Sequence, residues 1–131
     1  MAGKHPLAAW AIAGIGLVAF LLLPASASRA GEPSPTSRAE IAHLFSYLES
    51  SGCDFYRNGS WHKSSEASAH LRRKYQYLLE RGLVSSAEDF IARAATASSM
   101  SGEPYRVRCG GGKSVESGPW FRAELLRHRG E

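Results

Sequence analysis

Cys53-Asp54-Phe55-Tyr56-Arg57-Asn58-Gly59-Ser60-Trp61-His62 is the stretch from which the fold is read. Asn-Gly between two aromatic-bearing runs is the strongest short-range signal for a β-hairpin, because both central residues of a type I′ turn need positive φ. That turn sets Tyr56 opposite Trp61 and Phe55 opposite His62. Side chains alternate along a strand, so Cys53 and Phe55 share one face while Tyr56 and Trp61 share the other.

Helical periodicity surrounds the hairpin. Upstream, Ile41, Leu44, Phe45 and Leu48 recur at helical spacing. Ser37 and Glu40 make a capping-box pair, which predicts a helix from about residue 38 to residue 51, stopped by Gly52. Downstream, Ser64 or Ser65 is positioned to cap a second helix over about 66–81, with Ala67, Leu71, Tyr75, Leu78 and Leu79 inward and Gly82 ending it. Ser85 and Glu88 form another capping pair, opening a third helix to about residue 97 with Ala87, Phe90, Ile91 and Ala94 buried. Residues 98–103 (SSMSGE) read as a turn. Residues 104–109 then alternate as a strand, with Tyr105, Val107 and Cys109 on one side and Arg106 and Arg108 on the other. A glycine triplet at 110–112 and polar residues to Gly118 read as a loop. Pro119 opens a last helix with Trp120, Phe121, Leu125 and Leu126 facing inward. The expected fold is α+β, in the order α-β-β-α-α-β-α, with four helices on a small antiparallel sheet made of the hairpin and one later strand.

The first thirty residues have a different grammar. Lys4 and the amino terminus are positive, residues 7–23 (LAAWAIAGIGLVAFLLL) carry no charge, Pro24 breaks the run, and small residues follow. This is the pattern of a cleavable signal peptide, with cuts expected after Ala27 or after Ala30. The alternative is an uncleaved inner-membrane anchor, for which seventeen apolar residues are at the short limit. The expected layout is a signal peptide over 1–30, a Pro/Ser spacer over 31–37 and one domain over 38–128, located in the periplasm. A cut after Ala30 removes Lys4 and Arg29 from the 16 basic residues, leaving 14 against 12 acidic ones. A balance of +2 is too small to point to nucleic acid, and after cleavage nothing points to a membrane.

Cys53 and Cys109 are the two cysteines, and an even pair in an oxidising compartment reads as a disulfide. No CxxC pair or histidine at ligand spacing is present, so neither metal nor cofactor is expected.

Several strings together carry a resemblance. Phe55-Tyr56-Arg57-Asn58-Gly59 is followed by His70-Leu71-Arg72 and Lys74, by Ala87-Glu88-Asp89-Phe90-Ile91, by Ser98-Ser99, and by Ser101-Gly102 with Pro104-Tyr105 and Val107. Their order and spacing resemble small secreted proteobacterial proteins of domain-of-unknown-function family 5329, the YfeK-like proteins, from about residue 39 to residue 125. The resemblance implies export and a single domain. It implies no activity.

Two surfaces could carry function. Tyr56, Trp61, Arg106 and Arg108 share the outer sheet face, where aromatic planes beside guanidinium groups could hold a sugar, an anionic glycan or an acidic peptide. They could equally be a cross-strand aromatic pair covered by arginine stems. His70 and Lys74 lie one turn apart on the inward side of the second helix, and polar groups there need partners. They could be a general base and an electrostatic helper, with Ser99 among the serines near enough to be a nucleophile, or structural polar groups. No Gly-x-Ser-x-Gly elbow surrounds those serines, which more simply shape a turn. The expected function is therefore a non-catalytic periplasmic module that binds an envelope protein, peptide or glycan, and the alternative is an envelope hydrolase using His70 as acid/base.

Overall fold

The computed structural model describes residues 31–131, together with residues 3–4, 13–17, 19 and 21. Both expected cleavage positions, after Ala27 and after Ala30, and most of the N-terminal apolar run lie outside the described residues. No helix among the described residues is long and apolar enough to cross a membrane.

Helix α1 spans Pro35–Ser50. It starts earlier than the Ser37–Glu40 pair suggests, inside the stretch read as a spacer. Ser34 is the cap, its Oγ accepting from the Ser37 backbone at 3.1 Å, and Pro35 stands at the first helical position, where an N–H would have no helical partner. Glu40 is engaged elsewhere: its carboxylate accepts from Nε and Nη2 of Arg129 at 2.5 and 3.0 Å.

The hairpin follows as β1 (Asp54–Arg57) and β2 (Ser60–Lys63), in the expected register of Tyr56 with Trp61 and Phe55 with His62. Asn58 and Gly59 take φ of 46° and 86°, as the turn requires. Helix α2 (Ser64–Glu80) begins directly after β2. Lys63 occupies its cap position without a side-chain bond, so the expected serine cap is not made.

The third helix is a composite. A four-residue α3 (Ala87–Phe90) runs straight into a π-helical turn (Ile91–Ala95). Its cap is Ser86 rather than Ser85: Ser86 Oγ accepts from Asp89 N, while Asp89 Oδ2 accepts from the amide and hydroxyl of Ser85. The capping logic holds one residue further along.

Strand β3 (Arg106–Arg108) pairs antiparallel with β1, and a two-residue β4 (Val115–Glu116) pairs with β3 within the stretch read as a loop. The sheet order is β2-β1-β3-β4. Helix α4 (Ser117–Arg129) then closes the fold. The Cys53–Cys109 disulfide continues the β1–β3 register one step past the Asp54–Arg108 pair. Cys53 is buried and Cys109 is exposed, so the bridge ties the core-facing end of β1 to the surface end of β3.

The core lies between the helices and the sheet face carrying Phe55, Tyr105 and Val107. Ile41, Leu44, Phe45 and Leu48 reach it from α1, Leu71 from α2, Phe90 and Ile91 from the third helix, and Phe121 and Leu125 from α4. Trp120 packs at its margin, and Leu126 faces outward, against the inward position expected for it. Buried carboxylates sit between the two terminal helices. Glu124, 2% exposed, accepts from Arg127 and lies 2.7 Å from His43 Nε2.

Candidate functional site

The chain passes from the π-helical turn to β3 through a closed loop. Ala97 and Pro104 form an isolated antiparallel bridge, Tyr105 N donates to Thr96 O at 2.9 Å, and Ser98 N donates to Glu103 O at 3.0 Å. This clamp fixes two groups beside α2: the carbonyl of Ala97 and the phenol of Tyr105.

His70 and Lys74 meet them there. Their one-turn spacing places both on the side of α2 that faces the sheet. Tyr105 Oη lies 3.0 Å from His70 Nε2 and accepts from Lys74 Nζ at 3.3 Å, and the same ammonium donates to Ala97 O at 2.6 Å. An ammonium only donates, so the phenol oxygen accepts from it and its proton is free to point at Nε2. In that arrangement His70 carries its own proton on Nδ1.

Electrostatics agree with a neutral imidazole. Burial, reinforced by the positive charges of Arg57, Lys74, Arg73 and His62, pushes His70 down to about 4. Burial lowers Lys74 to about 8 and raises Tyr105. At neutral pH the cluster is thus a neutral imidazole, a neutral phenol and a mostly charged amine. A histidine of such low basicity is poorly matched to general-base work near pH 7.

Two depressions flank this cluster, and His70 and Arg57 form the partition between them. The first, about 310 Å³, runs between β2 and α2 past His62, Glu66 and Arg73. The second, about 300 Å³, lies between the hairpin tip, α2 and the 98–103 loop. Arg57, Lys74 and Asn58 supply its polar wall, Tyr77 and Met100 its apolar one, and Ser98 and Ser99 its floor. Among the described residues no acidic one lines it.

The candidate serines divide here. Ser98 is buried and shapes the loop: its Oγ accepts from Asn58 Nδ2 and from the amides of Met100 and Ser101, all at 3.3 Å. Ser101 Oγ donates to Asn58 Oδ1 at 2.9 Å, so one asparagine side chain ties the hairpin tip to the loop. Ser99 is exposed and shares the cleft with His70, but no hydrogen bond joins the two among the described residues.

On the outer sheet face, Tyr56, Trp61, Arg106 and Arg108 do lie together. Tyr56 and Trp61 pack edge to face at 5.3 Å, and the Arg108 guanidinium stands 4.0 Å over the indole. Their polar ends are engaged: Tyr56 donates to Glu103, Arg106 donates to Ser114 Oγ and O, and Arg108 pairs with Asp54. Trp61 remains 37% exposed.

Sequence reasoning placed His70 and Lys74 correctly but missed the hub between them. Tyr105 alternates with Arg106 and therefore read as core, which its ring is. Nothing local marks that its hydroxyl meets two side chains from α2. Arg57 is also part of the site, and the one signal for it is its position two residues from Phe55 on the same face, which puts it at the rim of the core.

Similarity to known proteins adds identity without chemistry. A family model described as a family of unknown function (DUF5329) matches residues 35–129. The uncharacterized protein YfeK of Salmonella typhimurium (strain LT2) is 43% identical over 51 residues, which are 39% of this chain and 41% of that protein. The chain thus spans about two-fifths of the length of the curated relative it matches. No solved structure matches. The family match runs from the first turn of α1 to the last residue of α4, covering the sheet, the disulfide and the cleft, and the chain therefore belongs to the DUF5329 family of unknown function.

Proposed function

We propose that this chain is an exported, non-catalytic binding module of the periplasm, which takes part of an envelope protein, peptide or glycan into the cleft between the hairpin tip, α2 and the 98–103 loop. Export rests on the signal-peptide pattern of residues 1–30 and on a cystine that an oxidising compartment would maintain. One observation carries the binding reading: the cleft presents Arg57 and Lys74 without an acidic residue in its lining, while His70 and Tyr105, the groups able to do proton chemistry, are hydrogen-bonded to each other.

The hydrolase alternative has one observation in its favour, the shared cleft of His70 and Ser99. Against it, His70 faces a phenol rather than an orienting carboxylate, and its basicity is low. The outer sheet face is a weaker binding surface than the cleft, because its polar groups already bond to one another.

The test is an amide-resolved NMR titration of isotope-labelled protein, recovered from the envelope, with fractions of envelope extract. Shifts gathered around residues 57–58, 70–77 and 98–105, with the bound compound recovered at unchanged mass, support a binding module. Conversion of that compound, abolished in His70→Gln, would refute the non-catalytic reading. Shifts confined to β1–β3 outer-face positions and removed by Trp61→Ala would move the site to the sheet.

A further inference from the structure

We infer that the ligand group taken by this cleft is a carboxylate attached to an apolar body, such as a peptide carries at its C-terminus or on an acidic side chain. The inference rests on the cleft being a binding site, as argued above, and adds what it recognises.

The donor set comes first. Arg57 makes no salt bridge or side-chain hydrogen bond among the described residues, and its fork of donors suits a planar two-oxygen acceptor. Lys74 has three donors and uses two, on Ala97 O and Tyr105 Oη. Its head is half-buried with no carboxylate beside it, an arrangement that an incoming anion would relieve. Every other charged group around the partition is either a cation or already paired: Arg73 is positive, and Glu66 is bonded to His62 at 3.1 Å.

Geometry then favours a carboxylate over a phosphate. Phosphate sites draw heavily on free backbone amides in nests or at helix starts. Here the loop amides are consumed internally: those of Met100 and Ser101 by Ser98 Oγ, that of Gly102 by Ser98 O, and that of Glu103 by Ser101 Oγ. Of the loop amides only that of Ser99 is left without a partner among the described residues, one N–H where an anion nest uses several, so side chains supply most of the donors. The opposite wall is apolar, with Tyr77 and Met100 exposed at 54% and 96%. At about 300 Å³ the cleft is at the small end for ligand sites and fits one side-chain-sized group with its charge.

The probes are four: N-acetyl-Ala-Phe with a free terminal carboxylate, the same dipeptide amidated, N-acetyl-Glu-Phe amide, and inorganic phosphate. Binding to protein recovered from the envelope is followed by amide shifts at cleft residues. Either carboxylate peptide should bind at least tenfold more tightly than the amidated dipeptide, and the stronger of the two identifies whether the group is terminal or on a side chain. Arg57→Gln and Lys74→Met should each weaken binding about tenfold or more, with Trp61→Ala unchanged. Thermal melts check that each variant is folded, and Arg57→Gln, at a half-buried strand-end position, decides the matter if Lys74→Met is not. Equal binding of acid and amidated peptides would overturn the carboxylate assignment while leaving the binding module standing. Tighter binding of phosphate would overturn it in favour of another anion. Shifts from envelope extract, with no probe binding the cleft at millimolar concentration, would overturn it as well. Absence of cleft shifts from probes and extract alike would remove the binding reading itself.

Discussion

Breaking the Cys53–Cys109 bridge should be the largest single loss of stability available in this domain. The two half-cystines are 56 residues apart, so the bond closes a loop of that length in the unfolded chain. Loop-closure entropy then gives about 4 kcal/mol at 25 °C. Folded domains hold only about 5–15 kcal/mol in total. A domain of this size shifts by about 4–8 °C per kcal/mol, so the melting temperature should fall by about 15–30 °C on reduction. Two perturbations separate the causes. Reduction with a phosphine keeps both sulfurs in place and removes only the cross-link. Cys53→Ala with Cys109→Ala also empties space at Cys53, which is 4% exposed, and should cost slightly more than reduction. Denaturant titrations of the oxidised, reduced and doubly substituted proteins, with free-thiol counts on each, give the comparison. Since β1 and β3 are already paired along three residues, the folded state should survive reduction in outline. A loss below about 1 kcal/mol on complete reduction would refute the reasoning, because it would mean that the unfolded chain is not freed by opening the loop.

Three further outcomes follow from named contacts. Asn58→Gly keeps the turn's positive φ but drops the bonds to Ser98 and Ser101, and should cost about 1 kcal/mol; Asn58→Ala adds left-handed strain and should cost about 2–3, both read from denaturant midpoints. Gly118→Ala would put a Cβ 2.9 Å from Thr96 Oγ1, so it should lose about 1–3 kcal/mol, with partial recovery when Thr96→Ala is added. His70 has a folded pKa near 4, below its unfolded value of about 6.5, so the folded state binds fewer protons in that window and stability falls as pH drops through it. His70→Gln should therefore flatten the stability profile between pH 6.5 and pH 4 by about 1–3 kcal/mol, the range allowing for partial exposure, while the loss from Glu40 and Glu124 at lower pH persists.

Much of the fold was legible because local chemistry and the tertiary pattern coincide. Asn58-Gly59 dictates the turn, and the alternation from Phe55 to His62 and from Tyr105 to Cys109 dictates which faces meet. Apolar spacing found the buried stripes of α1, α2 and the third helix. Helix starts were less secure where two polar residues compete, as Ser34 with Ser37 and Ser86 with Ser85 show. Strand β4 has two residues, too few for any period, and exists because β3 offers an edge. Glu40 and Glu124 could not be read as buried, since their partners Arg129 and His43 lie 89 and 81 residues away. The site was half legible for the same reason. Helical spacing turns His70 and Lys74 inward, but their meeting with Tyr105 and Ala97 O depends on where the Ala97–Pro104 bridge sets the chain.

The pairing of α1 with α4 would bear on folding if the chain is exported as proposed. Glu40 finds Arg129, and His43 finds Glu124, only when the last thirteen-residue helix is present. A polypeptide threaded through a narrow translocation pore from its amino end would have α1 on the far side with α2 and the third helix but without its α4 partners until release. Nascent chains stalled before residue 117 should accordingly stay open to protease, and resistance should arrive only as the final turn emerges.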